Sequence, residues 1–122
     1  MTKRILVVED QVDNRQILRD LLASADYEIT EAENGEEALA AVAKQRPDLI
    51  LMDIQLPIMD GYEATRRIKA NPAWKDIPII VVTSYALSGD EAKARDAGCD
   101  AYVTKPYSPR LLLAKIREYL PK

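Results

Sequence analysis

Residues 49–61 read LILMDIQLPIMDG, and this stretch decides the fold class. Its first four residues, 49–52, are apolar without alternation, which is typical of a strand covered on both faces. A carboxylate, Asp53, follows at once, and the chain then enters a loop that contains a proline. Burying a lone charge costs several kcal/mol, roughly, unless the charge is paired or bound to a metal. Asp53 therefore needs either water or a partner.

Similar apolar runs recur on both sides of this stretch. They are ILVV (5–8) and IPIIVV (77–82), with weaker runs at YEIT (27–30) and AYVT (101–104). Between them lie stretches whose apolar residues have the spacing of a helix face. These apolar positions are Ile17, Leu18, Leu21, Leu22, Ala38, Leu39, Val42, Ala64, Ile68, Leu112, Leu113, Ile116 and Leu120. The alternation of five strands with five helices predicts an α/β protein with a parallel sheet covered by helices on both faces.

Capping residues predict where the helices begin and end. The pairs with capping-box spacing are Asp13 with Gln16, Asn34 with Glu37, Asp60 with Glu63, and Ser88 with Glu91. Ser108 before Pro109 predicts a further start, since proline suits the first helical position. The predicted stops are Asn71-Pro72, Gly98 and Pro121.

The fourth predicted helix, from Ser88 to Ala97, is the weakest of the five. It offers only Leu87 and alanines at positions 92, 94 and 97 to a core. Because small side chains bury little area, we expect this helix to be the most easily displaced.

Length and composition limit the class of protein. The 122 residues fit one domain over 1–122 and are too few for two good cores. No apolar run approaches the roughly 20 residues that span a bilayer, and the start of the chain is too short and strand-like for a signal peptide. A single cysteine, Cys99, cannot form an internal disulfide, which fits a reducing compartment. We therefore expect a cytoplasmic protein without a membrane partner.

Charge and residue types exclude several functions. The net charge of −3 has no basic block behind it, so the chain lacks the electrostatic footprint of nucleic-acid binding. There is no histidine, which excludes Ser-His-Asp and Cys-His nucleophile systems and imidazole metal sites. The four glycines are scattered and form no phosphate-cradling cluster after the first strand, which argues against a dinucleotide- or flavin-binding role.

Hard polar groups follow four of the five predicted strands. They are Glu9-Asp10, Asp53, Thr83-Ser84 and Thr104-Lys105. In open parallel sheets the carboxyl ends of the strands share one edge, and ligands bind there. Each residue alone has an ordinary explanation, since an acid after a strand is often a helix cap. Their joint appearance at one edge favours a site.

The residue types at this edge indicate phosphoryl chemistry. Three acids repel one another unless a cation lies among them, and oxygen ligands without histidine or free cysteine indicate a hard ion. A site with few protein carboxylates, completed by water, favours Mg²⁺ over a caged Ca²⁺. Lys105 can pair with Asp53, and Thr83 adds a hydroxyl donor. This group suits a phosphoryl group, with Asp53 as the attacking nucleophile.

The chain resembles the receiver domain of bacterial two-component response regulators from Lys3 to Leu120. Four pieces carry the resemblance: ILVVED, DLILMDIQLPIMDG, IPIIVVTSYA and GCDAYVTKPYS. Each piece is moderately specific, and the ordered set is highly specific. The resemblance implies a flavodoxin-like (βα)5 doubly wound sheet with the strand order 2-1-3-4-5.

The resemblance also implies roles for the polar residues at the strand ends. Asp53 would take a phosphoryl group from a phosphohistidine on a partner. Glu9, Asp10 and Asp53 would hold Mg²⁺ together with the main-chain carbonyl of Gln55. Lys105 would contact the phosphoryl oxygens.

A switch and a set of partners follow from the same resemblance. Thr83 would turn its hydroxyl toward the phosphoryl group, and Tyr102 would rotate inward, changing the surface of the fourth helix, fifth strand and fifth helix. The Lys105-Pro106 peptide bond is expected to be cis. Without histidine the chain cannot carry its own donor, so we expect a sensor histidine kinase, a histidine phosphotransfer protein or a small phosphodonor, and a downstream protein target. We expect a monomer or weak dimer.

Several positions depart from the commonest family pattern. Glu9 replaces a more frequent aspartate, so its longer side chain is expected to reach the metal through water. Ser84 stands where alanine is usual and is still small. Gln55 and Tyr85 occupy positions at which the family tunes hydrolysis.

Other apolar residues have structural or surface roles. Trp74 is expected to anchor a loop, since large aromatic residues usually pack. Ile58, Met59 and Tyr107 lie in loops at the active edge, either as ordinary scattered surface apolarity or as a docking patch for the phosphodonor protein. Leu111 is assigned to a partner or dimer surface.

Three hypotheses remain open. The first is a phosphorylation-controlled receiver, either stand-alone or part of a longer regulator, which is not an enzyme. The second is a small phosphohydrolase, although such enzymes look for an acid/base aspartate where this chain has Gln55, which cannot transfer a proton. The third is a pseudo-receiver that binds partners without phosphorylation, which a failure to bind Mg²⁺ would favour.

Overall fold

The computed structural model describes residues 2–84 and 90–121. Five strands and five helices alternate along the chain. The strands are β1 (Arg4–Val8), β2 (Glu28–Ala32), β3 (Leu49–Met52), β4 (Ile79–Thr83) and β5 (Ala101–Thr104). The helices are α1 (Val12–Ser24), α2 (Gly35–Lys44), α3 (Gly61–Ala70), α4 (Asp90–Ala97) and α5 (Pro109–Tyr119).

The strands form one parallel sheet in the order β2-β1-β3-β4-β5. This confirms the predicted flavodoxin-like fold and strand order. In the register, Val8 of β1 lies beside Met52 of β3, and Met52 lies beside Val81 of β4. The carboxyl ends of β1, β3 and β4 therefore meet at one edge, where the order of the strands reverses.

The sheet separates two apolar cores. Successive strand residues point to opposite faces, so both faces of a fully buried strand need apolar cover. On one face, strand residues such as Ile50 and Met52 pack with α2, α3 and α4. On the other face, Leu49 and Leu51 pack with α1 and α5. This arrangement explains why β3 reads as a continuous apolar run.

Three of the predicted helix starts are confirmed. The side chain of Asn34 accepts a hydrogen bond from the Glu37 backbone N–H, and that of Asp60 accepts one from the Glu63 N–H. Ser108 caps α5 directly before Pro109. Each cap satisfies a backbone donor that has no partner inside the helix.

The predicted cap of α1 at Asp13 is wrong. The helix begins at Val12 after Gln11, and within the described chain no side chain caps it. Asp13 lies inside the first turn, where a negative charge still interacts favourably with the helix dipole.

The predicted bounds of two strands are also shifted. β2 begins at Glu28, because Tyr27 still ends the turn after α1 with its N–H bonded to the Leu22 carbonyl. β4 begins at Ile79, after Pro78, which has no N–H to donate to a neighbouring strand.

The apolar helix positions are largely buried, with two exceptions. Ile17, predicted to be in the core, is 57% exposed, and Ala92 is also exposed. Both flank the buried stripe of their helix. In α4 the buried alanines are Ala94 and Ala97, whereas the predicted cap Ser88 and the predicted core residue Leu87 lie outside the described residues. The predicted ease of displacing α4 stays a prediction.

The link between α3 and β4 is anchored as predicted. Trp74 is half-buried and packs against the core on the α2, α3 and α4 face. Across residues 2–84 and 90–121, no helix is both long enough and apolar enough to cross a membrane.

Candidate functional site

Backbone hydrogen bonds at the ends of β1 and β3 bring three acids together. The Asp53 N–H donates to the Val8 carbonyl at 3.1 Å, and the Glu9 N–H donates to the Ala32 carbonyl at 3.0 Å. Carboxylate oxygens of Glu9, Asp10 and Asp53 consequently lie within 4.8 Å of one another. The sheet thus places the predicted acidic group in one pocket.

Lys105 reaches the same pocket from the end of β5. Its ammonium nitrogen, Nζ, lies 2.6 Å from Glu9 Oε1 and 3.4 Å from Asp53 Oδ2. Its backbone N–H donates to the Thr83 carbonyl at 2.8 Å, and the Lys105-Pro106 peptide bond is cis as expected. The lysine therefore bridges the two buried carboxylates instead of contacting Asp53 alone.

The neighbouring charges decide the protonation of Lys105. Burial lowers the pKa of its ammonium, but the hydrogen bond to Glu9 and the charges of Asp53 and Glu9 outweigh this effect. The net result is a pKa above the ordinary lysine value, so Lys105 is a cation at neutral pH.

Backbone amides hold one oxygen of Asp53. Its Oδ1 accepts hydrogen bonds from the Ile54 N–H at 2.7 Å and the Gln55 N–H at 3.4 Å. Its other oxygen, Oδ2, is the one that faces Lys105. The side chain is 10% exposed, so it combines an oriented carboxylate with limited contact to water.

Gly61 allows α3 to begin directly against Asp53. A Cβ atom at position 61 would lie 2.0 Å from the Asp53 carbonyl oxygen. The Gly61 N–H also donates to the Ile54 carbonyl at 3.0 Å. The glycine of the PIMDG turn is thus required by a close approach of two backbone segments.

The two predicted switch residues lie on neighbouring strands. Thr83 is fully buried at the end of β4 and lies beside Thr104 of β5 in the register. Tyr102 is half-buried and packs against the core on the α2, α3 and α4 face. Gln55, predicted to offer its carbonyl to the metal, is exposed, and Tyr85 lies outside the described residues. The roles of these residues stay predictions.

A groove of about 410 Å³ lies beside the pocket, between α1 and the link from β5 to α5. Its lining is mainly apolar and includes Asn14, Ile17, Pro106, Tyr107 and Pro109. Glu9 and Lys105 of the acidic pocket also line it. Sequence reasoning missed Ile17 as a surface residue, because it assigned that residue to the core.

The predicted docking patch is only partly exposed. Ile58 is 74% exposed with a backbone φ of 69°, a left-handed conformation that is rare for a β-branched residue. Met59 and Tyr107 are half-buried. Leu111, assigned to a partner surface, is exposed.

The donor set fits a hard divalent cation. Its three residues offer only carboxylate oxygens, which Mg²⁺ prefers to nitrogen or sulfur. Two of them are buried while Asp10 is more accessible, so an ion could keep part of its water shell there.

The sequence model of the protein family "Response regulator receiver domain" matches residues 5–117 of this chain. This chain belongs to that family. As a receiver domain, it is similar to the polar-differentiation response regulator DivK of Brucella anthropi, with 43% identity over 120 residues, which is 98% of each chain.

Solved receiver structures share the fold over the whole length. One is the receiver domain of the sensor histidine kinase PA1611 from Pseudomonas aeruginosa, with a magnesium ion coordinated in the active site cleft. It has 35% identity and a TM-score of 0.92, with 100% of both chains covered. Another is the chemotaxis protein CheY4 of Vibrio cholerae, with 28% identity, a TM-score of 0.91, and 98% and 99% covered.

Family membership establishes the general class of function. Response regulator receivers are signalling proteins of two-component systems that interact with histidine kinases and downstream targets. A magnesium site and phosphorylation are typical of the family.

Proposed function

We propose that this chain is a phosphorylation-controlled receiver that accepts a phosphoryl group on Asp53. The observation that carries the proposal is the bridging position of Lys105 between Glu9 and Asp53, where it faces the Asp53 oxygen Oδ2 while the Ile54 N–H holds the other oxygen, Oδ1. A buried carboxylate with one oxygen fixed and the other facing a cation suits nucleophilic attack on phosphorus.

The donor would be a phosphohistidine of a sensor histidine kinase or a histidine phosphotransfer protein, since the chain has no histidine. In the transfer, a new P–O bond forms to Asp53 while the P–N bond to the imidazole breaks. The imidazole leaves with the electron pair of that bond as a neutral ring, protonated on its other nitrogen. Lys105 stabilises the negative charge on the phosphoryl oxygens.

Glu9, Asp10 and Asp53, with the Gln55 carbonyl, are the proposed holders of Mg²⁺. When bound, the ion supplies positive charge that offsets the charge of the phosphoryl oxygens and of the acids. The remaining contributions come from the chain itself. The Asp53 carboxylate attacks, and the Ile54 N–H orients it through a hydrogen bond of 2.7 Å. Lys105 adds the positive charge of its ammonium group beside Asp53 Oδ2.

The groove beside α1 supports docking of the donor protein next to the pocket. Its lining is mainly apolar and includes Lys105 and Glu9, and Ile17 is exposed there. A donor seated there would have its histidine near Asp53 without unfolding any part of the receiver.

The output is proposed to be a change in the surface of α4, β5 and α5 that controls binding of a downstream protein. A hydroxyl such as that of Thr83 gains a charge-assisted hydrogen bond only when the phosphoryl group is present. A gain of roughly 1–3 kcal/mol is enough to shift a two-state equilibrium substantially. Tyr102, on the strand next to Thr83, would report the change.

The chain is therefore proposed to work as a signalling protein and not as a phosphohydrolase. Gln55 lies two residues after Asp53, and its amide cannot transfer a proton. A single domain over residues 1–122, a cytoplasmic location, and a monomeric or weakly dimeric state stay predictions.

Intact-mass analysis tests the proposal. Purified protein is incubated with acetyl phosphate and Mg²⁺, in the wild type and in Asp53→Asn. We expect one phosphoryl adduct in the wild type, lost in Asp53→Asn and on chelation of the metal. An adduct that survives Asp53→Asn would show that another residue is the nucleophile, and steady release of phosphate from general phosphate esters would support the phosphohydrolase.

A further inference from the structure

Arg15 of α1 joins the acidic loop to the end of β2. One nitrogen of its guanidinium, Nη1, donates to the Glu9 carbonyl at 2.9 Å and to the Asp10 carbonyl at 3.4 Å. Its Nε lies 3.3 Å from a Glu31 oxygen, and its Nη2 lies 3.3 Å from a Glu33 oxygen. Only 11% of the Arg15 side chain is exposed, whereas the Glu31 and Glu33 side chains are 29% and 58% exposed. The two bonds to the carbonyls are therefore the more shielded of its contacts.

The loop that Arg15 contacts carries Glu9 and Asp10, two of the three carboxylates proposed to hold the metal. The β1 ladder ends at Val8, and the next N–H, that of Glu9, still bonds to the Ala32 carbonyl. Beyond this point Asp10 lies between the strand and the first helical residue, Val12. The direction of its carboxylate therefore depends on how the backbone of this short link is held.

We propose that Arg15 is a positioning residue for Mg²⁺ binding, which it promotes by fixing the backbone of Glu9 and Asp10. This inference rests on the proposed function, because it names the residue that shapes the same metal site. Arg15 contacts Glu9 and Asp10 through their backbone carbonyl oxygens, so it acts on their carboxylates through the loop. Residues that orient metal ligands commonly affect affinity nearly as strongly as the ligands do.

Two opposite effects of Arg15 can be separated by their sign. A cation close to an acidic group repels Mg²⁺, so loss of that charge alone would strengthen metal binding. Loss of the positioning contacts would weaken it. In this structure Glu31 and Glu33 offset the charge of Arg15, so we expect the positioning effect to prevail.

The substitutions Arg15→Gln and Arg15→Lys test this expectation. Lysine keeps the charge but lacks the planar guanidinium, so its single ammonium group cannot contact two carbonyls and two carboxylates at once. We expect both variants to bind Mg²⁺ about tenfold more weakly than the wild type, as for other residues that support metal ligands. Amide chemical shifts of the folded protein, followed during Mg²⁺ titration, measure the dissociation constant without contribution from unfolded molecules.

Arg19→Gln is the matched control. Arg19 also belongs to α1 and forms a bidentate pair with Glu31 at 2.9 Å, and within residues 2–84 and 90–121 its guanidinium hydrogen-bonds to that carboxylate alone. Because an exposed ion pair contributes little, we expect its Mg²⁺ affinity to change less than about twofold. Equal weakening in Arg19→Gln and Arg15→Gln would overturn the proposal, and so would unchanged or tighter binding in Arg15→Gln.

A measurement without metal separates this inference from the proposed function. The Gln11 N–H donates to Glu9 Oε2 at 3.1 Å, so its hydrogen exchange reports how firmly the link is held. We expect this amide to exchange severalfold faster in Arg15→Gln than in Arg19→Gln when no Mg²⁺ is present. Equal exchange would overturn the positioning role, whereas a wild type that accepts no phosphoryl group would overturn only the proposed function.

Discussion

Lys105 lies closer to Glu9 than to Asp53, with Nζ 2.6 Å from Glu9 Oε1 and 3.4 Å from Asp53 Oδ2. Glu9 is 2% exposed, so its charge depends on this ammonium and on the Gln11 N–H. Lys105, which is proposed to contact the phosphoryl group, is thus held mainly by Glu9 and not by the proposed nucleophile, Asp53.

Replacing Lys105 by methionine should destabilise the metal-free protein. Methionine keeps much of the side-chain volume but leaves Glu9 and Asp53 as buried, uncompensated charges. We expect the free energy of unfolding to fall by about 1–3 kcal/mol, less than for a fully buried pair because the lysine is partly exposed. Urea denaturation without Mg²⁺ measures the loss. Adding Glu9→Gln should recover much of it, and a double variant less stable than Lys105→Met would contradict the assigned pairing.

Asp10→Asn should weaken Mg²⁺ binding more than Glu9→Gln does. Both oxygens of Glu9 are already occupied, Oε1 by Lys105 and Oε2 by the Gln11 N–H, whereas Asp10 is more accessible. We expect a loss of about tenfold or more for Asp10→Asn and roughly twofold to threefold for Glu9→Gln. Mg²⁺ titration of the two variants compares them, and the reverse order would contradict the expectation that Asp10 contributes more than Glu9 to holding the ion.

Gly61→Ala should disturb both stability and phosphorylation. Its Cβ would lie 2.0 Å from the Asp53 carbonyl oxygen, so α3 or the loop after β3 must move. Forcing an atom into a closely packed site costs typically about 1–3 kcal/mol. We expect a loss of that order and slower formation of the acetyl phosphate adduct, measured by urea denaturation and intact mass.

Gly35→Ala is the control for this prediction. A Cβ there would lie 2.5 Å from the Met59 carbonyl oxygen, which is also too close, but it does not contact Asp53. It should lower the stability, whereas the adduct should form at nearly the wild-type rate under conditions in which both variants are folded. Equal slowing in the two variants would show that general destabilisation, and not the position of Asp53, is responsible.

Cys99 should make stability depend on pH at alkaline values. Burial raises the pKa of its thiol above the usual value of 9.0, with smaller opposing and reinforcing effects from nearby charges. Because the folded state favours the protonated thiol, its contribution to stability is present below the pKa of the unfolded state and is lost as the pH rises toward the folded value. Comparison of Cys99→Ala with the wild type by urea denaturation between about pH 8 and 10.5 isolates this contribution. A wild type whose stability falls no more steeply than that of Cys99→Ala would contradict it.

The fold was predictable from the sequence because its signals are local. The apolar run 49–52 is typical of a strand with cover on both sides, and the caps at Asn34, Asp60 and Ser108 satisfy donors within the next turn. Where the signal was ambiguous, the prediction failed. Asp13 has the spacing of a capping residue but lies inside α1, since spacing does not determine which residue is the first helical one.

The candidate site was predictable as a set of residues but not as a set of contacts. Strand ends at one edge bring Glu9, Asp10, Asp53 and Lys105 together in a parallel sheet of this order, so their grouping follows from the alternation of elements and from the strand order that the family resemblance implied. The sequence could not indicate that Lys105 lies nearer to Glu9 than to Asp53, because that preference depends on the length of both side chains in a shared pocket.

By itself, the sequence determined a parallel sheet with two apolar faces covered by helices, because these features depend on periodicity and on the alternation of elements. The residues next to each strand indicated the edge of the candidate site, and the resemblance to the receiver family implied the doubly wound strand order. Tertiary structure alone decided which acid holds the lysine, why no side chain fits at Gly61, how Arg15 reaches the Glu9 and Asp10 carbonyls, and that Ile17 faces solvent beside the pocket. Each of these depends on distances of a few ångströms between segments far apart in the chain or on the orientation of a helix, which no local pattern encodes.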